Sequence, residues 1–298
     1  MASASRLGRK TSALAGNRGN AAEHRHQNPL RFKHQPETRF PGKPLANETG
    51  KYLIQHVYER ACECRSIDRA IVATEDERIV AAVKSFGGEV RMTRADHLTG
   101  TDRVGEVAEA LGLSDEDIVL NVQGDEPEVS PIVLDRLIVR MKDSTGSAAI
   151  GTVAARFDDD GPKNGPGSPL DPNCVKVVVD AAGEAMYFSR SPIPFPRDTG
   201  GVVDRPSRWL LHMGVYAFRT AALRRVTGGR LQPSALEKAE SLEQLRWLEN
   251  GMRIAVVLVE QRSVGIDTPQ DYAAFVERTE RKRSGVIFGL ARTWITGG

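Results

Sequence analysis

Apolar residues follow two alternating spacings along the chain from Tyr52 onward. In Tyr52–Ala61 they recur every four residues, which predicts a helix with one buried face, whereas the short apolar run Ala70–Thr74 predicts a buried strand. The same alternation continues through a helix at Glu77–Phe86, a strand at Glu89–Thr93, a helix at Asp102–Leu111 capped by Thr101, and a strand at Ile118–Val122. Because strands joined by helices pair in parallel, this half of the chain predicts a parallel sheet.

The second half of the chain contains more strand-like runs than helical ones. The predicted strands are Ala148–Ala155, Val175–Asp180, Ala185–Phe188, Leu211–Arg219 and Ile254–Val259. Leu236–Glu249 has its leucines aligned on one face and predicts a single amphipathic helix. We therefore predict one α/β domain over residues 38–278, preceded by an extension over residues 1–37 and followed by a tail over residues 279–298.

The composition predicts a soluble globular protein. The chain has 298 residues, of which 40% are hydrophobic and 27% charged, and its longest apolar stretches fall far short of the roughly 18 residues of a membrane helix. Three cysteines without paired spacing exclude a disulfide framework and a four-cysteine zinc site, and they indicate a reducing compartment. We expect a cytoplasmic protein that does not bind membranes.

Charge is distributed unevenly along the chain. Residues 1–36 hold seven basic residues and one acidic residue, whereas 34 basic and 38 acidic residues remain in residues 37–298. A basic face for nucleic acid is therefore not expected outside the amino-terminal extension. The extension is compatible with a transit peptide, but its composition favours a disordered segment, and its large apolar residues lack the spacing of a strand. We expect residues 1–36 to contribute no strand.

Two carboxylates and a lysine follow predicted strands or precede a predicted helix. Asp125 lies just after the strand Ile118–Val122, Asp267 follows the strand Ile254–Val259, and Lys43 lies in a Pro-Gly-Lys-Pro turn. Open α/β sheets bind ligands at the carboxyl ends of their strands. Each residue alone is more typical of a turn or a cap, but together they predict a magnesium–triphosphate site.

A series of short segments then identifies a family. In chain order, the segments are Thr38–Leu45, Ile54–Ala61, Ile71–Thr74 with Asp76, Phe86–Val90, Met92–His97 with Gly100–Arg103, Asn121–Pro127, Pro172–Val178, Tyr187–Arg190 with Pro192–Pro194, His212–Tyr216, Leu242–Arg246 and Gly265–Pro269. Over residues 38–278 this series resembles the 3-deoxy-manno-octulosonate (Kdo) cytidylyltransferases, the CMP-Kdo synthetase family.

The resemblance implies an enzyme that converts CTP and Kdo to CMP-Kdo and pyrophosphate for lipopolysaccharide-type glycan synthesis. It implies a three-layer, Rossmann-like nucleotidyltransferase fold with a mostly parallel sheet, and a homodimer. It implies Mg²⁺ held by Asp125 and Asp267, with Lys43 on the phosphates. The residues that the resemblance places around the sugar acid are Gln123, Arg190, His212 and Glu237, with Arg94 nearby. From the charge distribution and the short apolar stretches we expect no nucleic-acid or membrane partner.

The sequence departs from the family pattern in two places. His34 stands where the family has a nucleotide-binding arginine, and Arg31–Glu37 lacks the apolar first strand that precedes that arginine. Leu211 stands where an arginine usually precedes the histidine. The departures leave open whether the first strand is missing, and they leave two alternatives to an active CMP-Kdo synthetase: a catalytically impaired relative that only binds nucleotide or sugar acid, and a cytidylyltransferase for another acidic sugar.

Overall fold

The computed structural model describes residues 11–16, 40–143, 148–260, 262–263 and 265–293. Within these ranges the strands are β1 Thr11–Gly16, β2 Arg69–Thr74, β3 Val90–Met92, β4 Ile118–Gln123, β5 Ile150–Arg156, β6 Lys176–Val179, β7 Ala185–Ser189, β8 Leu210–Arg219 and β9 Ile254–Val259. The helices are α1 Leu53–Cys62, α2 Glu77–Ser85, α3 Gly100–Ala110, α4 Pro131–Asp143, α5 Thr220–Val226, α6 Ala235–Glu240, α7 Glu243–Glu249 and α8 Pro269–Thr293.

The strands form one sheet in the order β3-β2-β1-β4-β8-β5-β9. β3, β2, β1 and β4 pair in parallel, and so do β5 and β9. β8 runs antiparallel to both of its neighbours, and the β6–β7 hairpin joins the sheet at the start of β8. The predicted mostly parallel sheet is confirmed.

Helices cover both faces of the sheet, because successive strand side chains point to opposite sides. In β2, Ala70 and Val72 pack against α1, α2 and α4, whereas Ile71 and Ala73 pack against the side covered by α3, α5 and α7. Each face has its own buried apolar cluster. This arrangement is the three-layer architecture that the sequence predicted.

Strand β1 contradicts the expectation that residues 1–36 contribute no strand. Thr11–Gly16 lies between β2 and β4, with Ala13 opposite Ala70 on one side and Leu120 on the other. The expectation counted large apolar side chains, but a parallel ladder is made by backbone N–H and C=O groups, which every residue except proline supplies. The disorder expected for residues 1–10 and 17–36, and the position of His34, lie outside the described residues.

The predicted helix Leu236–Glu249 is two helices in the structure. Ser241 adopts a left-handed conformation with φ of 52°, which ends α6, and Leu242 then begins α7. Residues other than glycine rarely adopt that conformation, and the regular leucine spacing continues across it. The sequence pattern therefore gives no sign of the break. The start of α3 is also corrected, because Thr99 rather than Thr101 accepts the capping hydrogen bond, from the Asp102 N–H at 3.1 Å.

Helix α8 crosses the predicted boundary at residue 278 and continues to Thr293. Tyr272 and Phe275 of its first turns are buried against Leu53 of α1, together with Ile266 of the preceding loop, and Phe40 lies at the margin of this cluster. The helix therefore joins the carboxy-terminal segment to the turn that precedes α1. Among the described residues, no helix has the length and hydrophobicity required to cross a bilayer.

Candidate active site

Three loops meet at the carboxyl ends of β4 and β9. The loop after β4 carries Asp125, the loop after β9 carries Asp267, and the turn before α1 carries Lys43. The Ile266 N–H donates to the Asp125 carbonyl at 2.9 Å, which fixes the two acidic loops beside each other. Gly42 has a φ of 72°, a left-handed conformation that glycine adopts without strain, and it turns the chain so that Lys43 begins a short 3-10 helix.

Lys43 connects the two carboxylates. Its Nζ donates to Asp125 Oδ2 at 2.7 Å and to the Ile266 carbonyl at 2.6 Å, and it lies 3.5 Å from Asp267 Oδ1. Asp267 is 85% exposed, whereas the side chains of Lys43 and Asp125 are mostly covered. The structure thus brings together the three residues that the sequence singled out for phosphate and metal binding.

Glu126 is a further acidic residue in this cluster. Burial, together with the neighbouring carboxylates of Asp125 and Asp267, raises the pKa of Glu126 to about 7. Its Oε2 atom is buried without a hydrogen bond of normal geometry within the described residues. Gly265 leaves room for this side chain, because a Cβ there would lie 3.3 Å from Glu126 Oε1. Sequence reasoning gave Glu126 no role, although it directly follows Asp125.

The donor set of this cluster fits Mg²⁺. Within the part of the chain that the structure describes, no three or more His, Cys, Asp or Glu side chains come together as a metal site. A metal ion bound here would therefore have two carboxylate ligands from the protein. Mg²⁺ keeps several waters and binds through one or two carboxylates and substrate phosphates, which matches an Asp125–Asp267 pair beside a lysine. The ligands here are oxygens, as a hard divalent cation requires.

Gln123 and His212 lie on adjacent strands of the sheet. Gln123 ends β4, with its side chain between Gly100 at the start of α3 and Gly214 of β8: a Cβ on either glycine would lie 3.9 Å from it. His212 Nε2 is 3.0 Å from Thr152 Oγ1, and that hydroxyl is 2.8 Å from the Val215 carbonyl, to which it donates. The hydroxyl proton is used in that bond, so His212 donates through Nε2 and leaves Nδ1 as an acceptor.

The His212 ring lies between two aromatic rings. Phe188 is 4.9 Å away edge-on, and Tyr216 is 5.4 Å away. Burial lowers the pKa of His212 to about 3. The imidazole is therefore neutral at physiological pH. Leu211, beside it, packs with the apolar cluster of Phe157, Val203 and Trp209.

Arg190 is held by backbone carbonyls. Its Nε donates to the Glu240 carbonyl at 2.6 Å, and its two other nitrogens donate to the carbonyls of Pro172 and Ser241 at 2.9 and 3.4 Å. Beneath it, the fully buried Lys176 donates to the Arg190 and Asp171 carbonyls at 2.5 and 2.9 Å. The Arg190 side chain therefore joins the loop after β7 to the end of α6.

Glu237 and Arg94 lie in different surroundings. Glu237 forms a capping box with Ser234 at the start of α6, and its carboxylate is 3.5 Å from the Arg246 guanidinium. Arg246 also donates to the partly buried Glu243 at 2.9 Å. Arg94 is 66% exposed and pairs with Asp96 at 3.4 Å. In the described residues neither Glu237 nor Arg94 makes a hydrogen bond or ion pair with the Lys43 cluster.

Glu243 was missed by sequence reasoning. It accepts hydrogen bonds from Thr101 at 2.8 Å and Thr99 at 3.2 Å, so it joins the start of α3 to α7. Burial raises the pKa of Glu243 above its ordinary value against the opposing effects of Thr101 and Arg246. No spacing in the sequence indicates a contact between residues this far apart.

Comparison with known proteins identifies the family of the chain and agrees with its fold. Residues 37–254 match the cytidylyltransferase family. The chain is 46% identical to the 3-deoxy-manno-octulosonate cytidylyltransferase of Solibacter usitatus (strain Ellin6076) over 246 residues, which cover 82% of this chain and 90% of that protein. It is 44% identical to the protein of the same name from Geobacter sulfurreducens over 239 residues, 78% of this chain and 91% of that protein.

Solved structures give the same result. A structure of CMP:2-keto-3-deoxy-manno-octonic acid synthetase complexed with CTP superposes with a TM-score of 0.75 at 35% identity, covering 92% of this chain and 99% of that one. A 4-diphosphocytidyl-2C-methyl-D-erythritol synthase, 15% identical with a TM-score of 0.51, shares the fold. The matched residues include Lys43 and Asp125 and extend over most of the sheet. The chain belongs to the cytidylyltransferase family.

Proposed function

We propose that this chain is a 3-deoxy-manno-octulosonate cytidylyltransferase, which transfers CMP from CTP to Kdo and releases pyrophosphate. The observation that carries the proposal is the Lys43 ammonium placed between Asp125 and Asp267 at the carboxyl ends of β4 and β9. The similarity to curated enzymes of this name over about four fifths of the chain supports the choice of substrates.

In the proposed reaction the anomeric hydroxyl of Kdo attacks the α-phosphorus of CTP. A bond forms between that oxygen and the phosphorus, and the bond from the phosphorus to the bridging α,β oxygen breaks. Pyrophosphate leaves with that oxygen, and the hydroxyl proton passes to solvent. The protein positions the reactants and neutralises the charge that develops on phosphate oxygens. Asp125 and Asp267 would hold Mg²⁺, which supplies positive charge at the phosphates when bound. Lys43 would contact the phosphates once it leaves the carboxylates.

The sugar acid would lie along the side of the site formed by β4 and β8. The Gln123 amide and the neutral His212 imidazole, with its Nδ1 free to accept, suit the hydroxyl groups of a sugar. Arg190 is our candidate for the sugar carboxylate, because its guanidinium carries five N–H donors and its three backbone contacts leave two of them. We assign Arg94 and Glu237 to the margin of the same pocket.

The two alternatives have less support. An impaired relative without a first strand does not fit the position of β1 between β2 and β4. A different acidic sugar is favoured only if Leu211 reshapes the sugar pocket. Leu211 packs instead with the apolar cluster of Phe157, Val203 and Trp209, which does not favour that alternative. CMP-Kdo synthesis is therefore the preferred function.

We further propose a cytoplasmic homodimer. Three large apolar side chains on or after β7, Met186, Phe195 and Val202, are each more than 60% exposed. Exposed apolar residues concentrated in one segment are typical of an interaction surface. Light scattering at micromolar concentration should give twice the chain mass, and a monomer mass would contradict this assignment.

The central test is pyrophosphate release from CTP with Kdo or sialic acid as acceptor, measured against Mg²⁺ concentration. Asp125→Asn and Asp267→Asn should abolish turnover while leaving the chain folded. The melting temperature should be nearly unchanged in Asp267→Asn, whose side chain is exposed, and lower in Asp125→Asn, which loses the charge that pairs with Lys43. Asp160→Asn, which removes an exposed carboxylate elsewhere, is the matched control. Full turnover in either active-site variant at limiting Mg²⁺ would refute the metal assignment. Preference for sialic acid would refute the substrate. Should the parent chain show no turnover, calorimetry of Mg²⁺-dependent CTP binding separates an impaired binder from an incorrect assignment.

A further inference from the structure

Helix α8 contacts every loop that contributes to the Lys43 cluster. Asp267 directly precedes its first turn, where Thr268 and Asp271 form reciprocal capping bonds: the Thr268 N–H donates to Asp271 Oδ2 at 2.8 Å, and the Asp271 N–H to Thr268 Oγ1 at 3.1 Å. Asp271 Oδ2 also accepts from the Asp267 N–H at 3.2 Å. The backbone of Asp267 is thus fixed to the start of the helix.

One side of α8 is attached to the segment that contains Lys43. The Tyr272 hydroxyl accepts from the Glu48 N–H at 2.8 Å, and the Phe275 ring stands edge-on to His56 at 5.0 Å. Tyr272 and Phe275 are nearly fully buried. These contacts fix the helix relative to the turn before α1.

The other side of α8 is attached to the loop that contains Asp125. Glu128, three residues after Asp125, accepts two hydrogen bonds from the Arg278 guanidinium on Oε2, at 2.7 and 2.9 Å. Lys282, one turn further along the helix, donates to Glu128 Oε1 at 3.1 Å. The Glu128 side chain is only 18% exposed, so it depends on these cations for its charge to be compensated.

We propose that Arg278, acting through Glu128, is a positioning residue that sets the separation of the Asp125 and Asp267 carboxylates. The inference rests on the proposed metal-dependent function of those two aspartates. Four acidic residues lie on the two short loops after β4 and β9, and their carboxylates repel each other. They are Asp125, Glu126, Glu128 and Asp267. Arg278 attaches the β4 loop to the helix whose first turn fixes the backbone of Asp267, so the two ligands are held near each other before a metal ion binds.

The contact network gives this role a measurable reporter. The Ile266 N–H donates to the Asp125 carbonyl, and this bond exists only while the two loops are adjacent. Loss of the Arg278–Glu128 attachment should therefore increase hydrogen exchange at the Ile266 amide. Exchange at Leu120 in the central strand β4 follows global opening instead and should not change.

The test compares Arg278→Gln with Arg281→Gln. Arg281 lies on the same helix but pairs with Glu277 and is largely exposed, so its replacement removes the same charge without touching Glu128. We expect Arg278→Gln to weaken the binding of Mn²⁺ in the absence of nucleotide by about 10-fold, as measured by electron paramagnetic resonance. This is the lower end of the effect of residues that orient metal ligands. Ile266 exchange should accelerate about tenfold, and kcat should recover at saturating Mg²⁺. Arg281→Gln should change none of these.

A double variant provides the second line of the test. Glu128→Gln combined with Arg278→Gln should be no worse than Glu128→Gln alone, because Arg278 acts through Glu128, whereas in Arg278→Gln the bond from Lys282 to Glu128 remains. Equal Ile266 exchange in Arg278→Gln and Arg281→Gln, or additive losses in the double variant, would overturn the proposal. A parent chain that binds no Mn²⁺ would refute the metal assignment itself, and Ile266 exchange would still decide whether Arg278 holds the loops together.

Discussion

Replacing Lys43 by methionine tests the central charge arrangement of the site. The substitution keeps the length and apolar stem of the side chain and removes the ammonium. Asp125 then loses its 2.7 Å partner, and the Ile266 carbonyl loses its 2.6 Å donor. Two carboxylates are left facing each other without a cation between them, which should lower the stability of the fold while increasing the attraction of the site for a metal ion.

The magnitude follows from the geometry. Two unit charges at 2.7 Å attract by about 6 kcal/mol at an effective dielectric constant of about 20. Competing hydration reduces a charge-assisted hydrogen bond to a net of about 1.5 to 3 kcal/mol. The contact with the highly exposed Asp267 adds less than about 1 kcal/mol. The bond to the Ile266 carbonyl also involves a charged group and adds a similar contribution of about 1.5 to 3 kcal/mol, and the entropy regained by a freed side chain subtracts about 1 to 2 kcal/mol. We therefore expect a loss of about 2 to 4 kcal/mol, or about 5 to 15 °C in Tm.

The assay is thermal unfolding of the full chain, with Mn²⁺ titrations in parallel. Lys51→Met is the matched control, because Lys51 makes an ion pair with Glu59 at 2.6 Å that is more exposed on both sides; it should cost less than about 1 kcal/mol. Lys43→Met should bind Mn²⁺ more tightly than the parent chain in the absence of nucleotide, yet lose turnover. A Tm equal to that of Lys51→Met, or weaker Mn²⁺ binding, would refute this account of the site.

Three further predictions concern other parts of the molecule. Ala13→Pro removes a backbone donor from the central strand β1 and should destabilise the fold by about 3 kcal/mol or more in denaturant titrations, whereas an unchanged midpoint would contradict the observed pairing. Gly265→Ala would place a Cβ 3.3 Å from Glu126 Oε1 and should cost about 1 kcal/mol, seen as a Tm lower by 2 to 4 °C; an unchanged Tm would contradict the close approach. The pKa of His212 is about 3 in the folded chain and about 6.5 in the unfolded chain, so the stability that the neutral ring contributes is complete above pH 6.5 and is lost as the pH falls. Between pH 8 and pH 5 the free energy of unfolding of His212→Gln should therefore fall by about 2 kcal/mol less than that of the parent chain. Parallel curves of stability against pH would contradict the buried neutral ring.

The sequence predicted the elements whose apolar spacing is regular. Helix α2 was predicted at Glu77–Phe86 and observed at Glu77–Ser85, and β9 was predicted with its observed bounds. Helices α4 and α5 were not predicted. Strand β1 was wrongly excluded because its position depends on backbone pairing with two distant strands rather than on its own side chains.

The candidate site could be predicted in part for a similar reason. Asp125 and Asp267 were found because strand ends in an open α/β sheet share one edge. The burial of Glu126 and the contact of Glu243 with Thr99 depend on packing between residues far apart in the chain, which no local spacing records. Arg190 was predicted from the family pattern alone, and only the structure shows that three carbonyls already fix its guanidinium.

The antiparallel strand β8 has a consequence for folding during synthesis. β4 pairs with β8, where Leu120 lies opposite Ala217, so about 100 residues must be made after β4 before that side of it is covered. β5 likewise acquires β9 about 100 residues later. Contacts of such long sequence separation form slowly, and unpaired strand edges promote aggregation. A nascent chain released before residue 210 would expose the edge of β4, so the amino-terminal half of this protein should accumulate as insoluble material when it is produced alone.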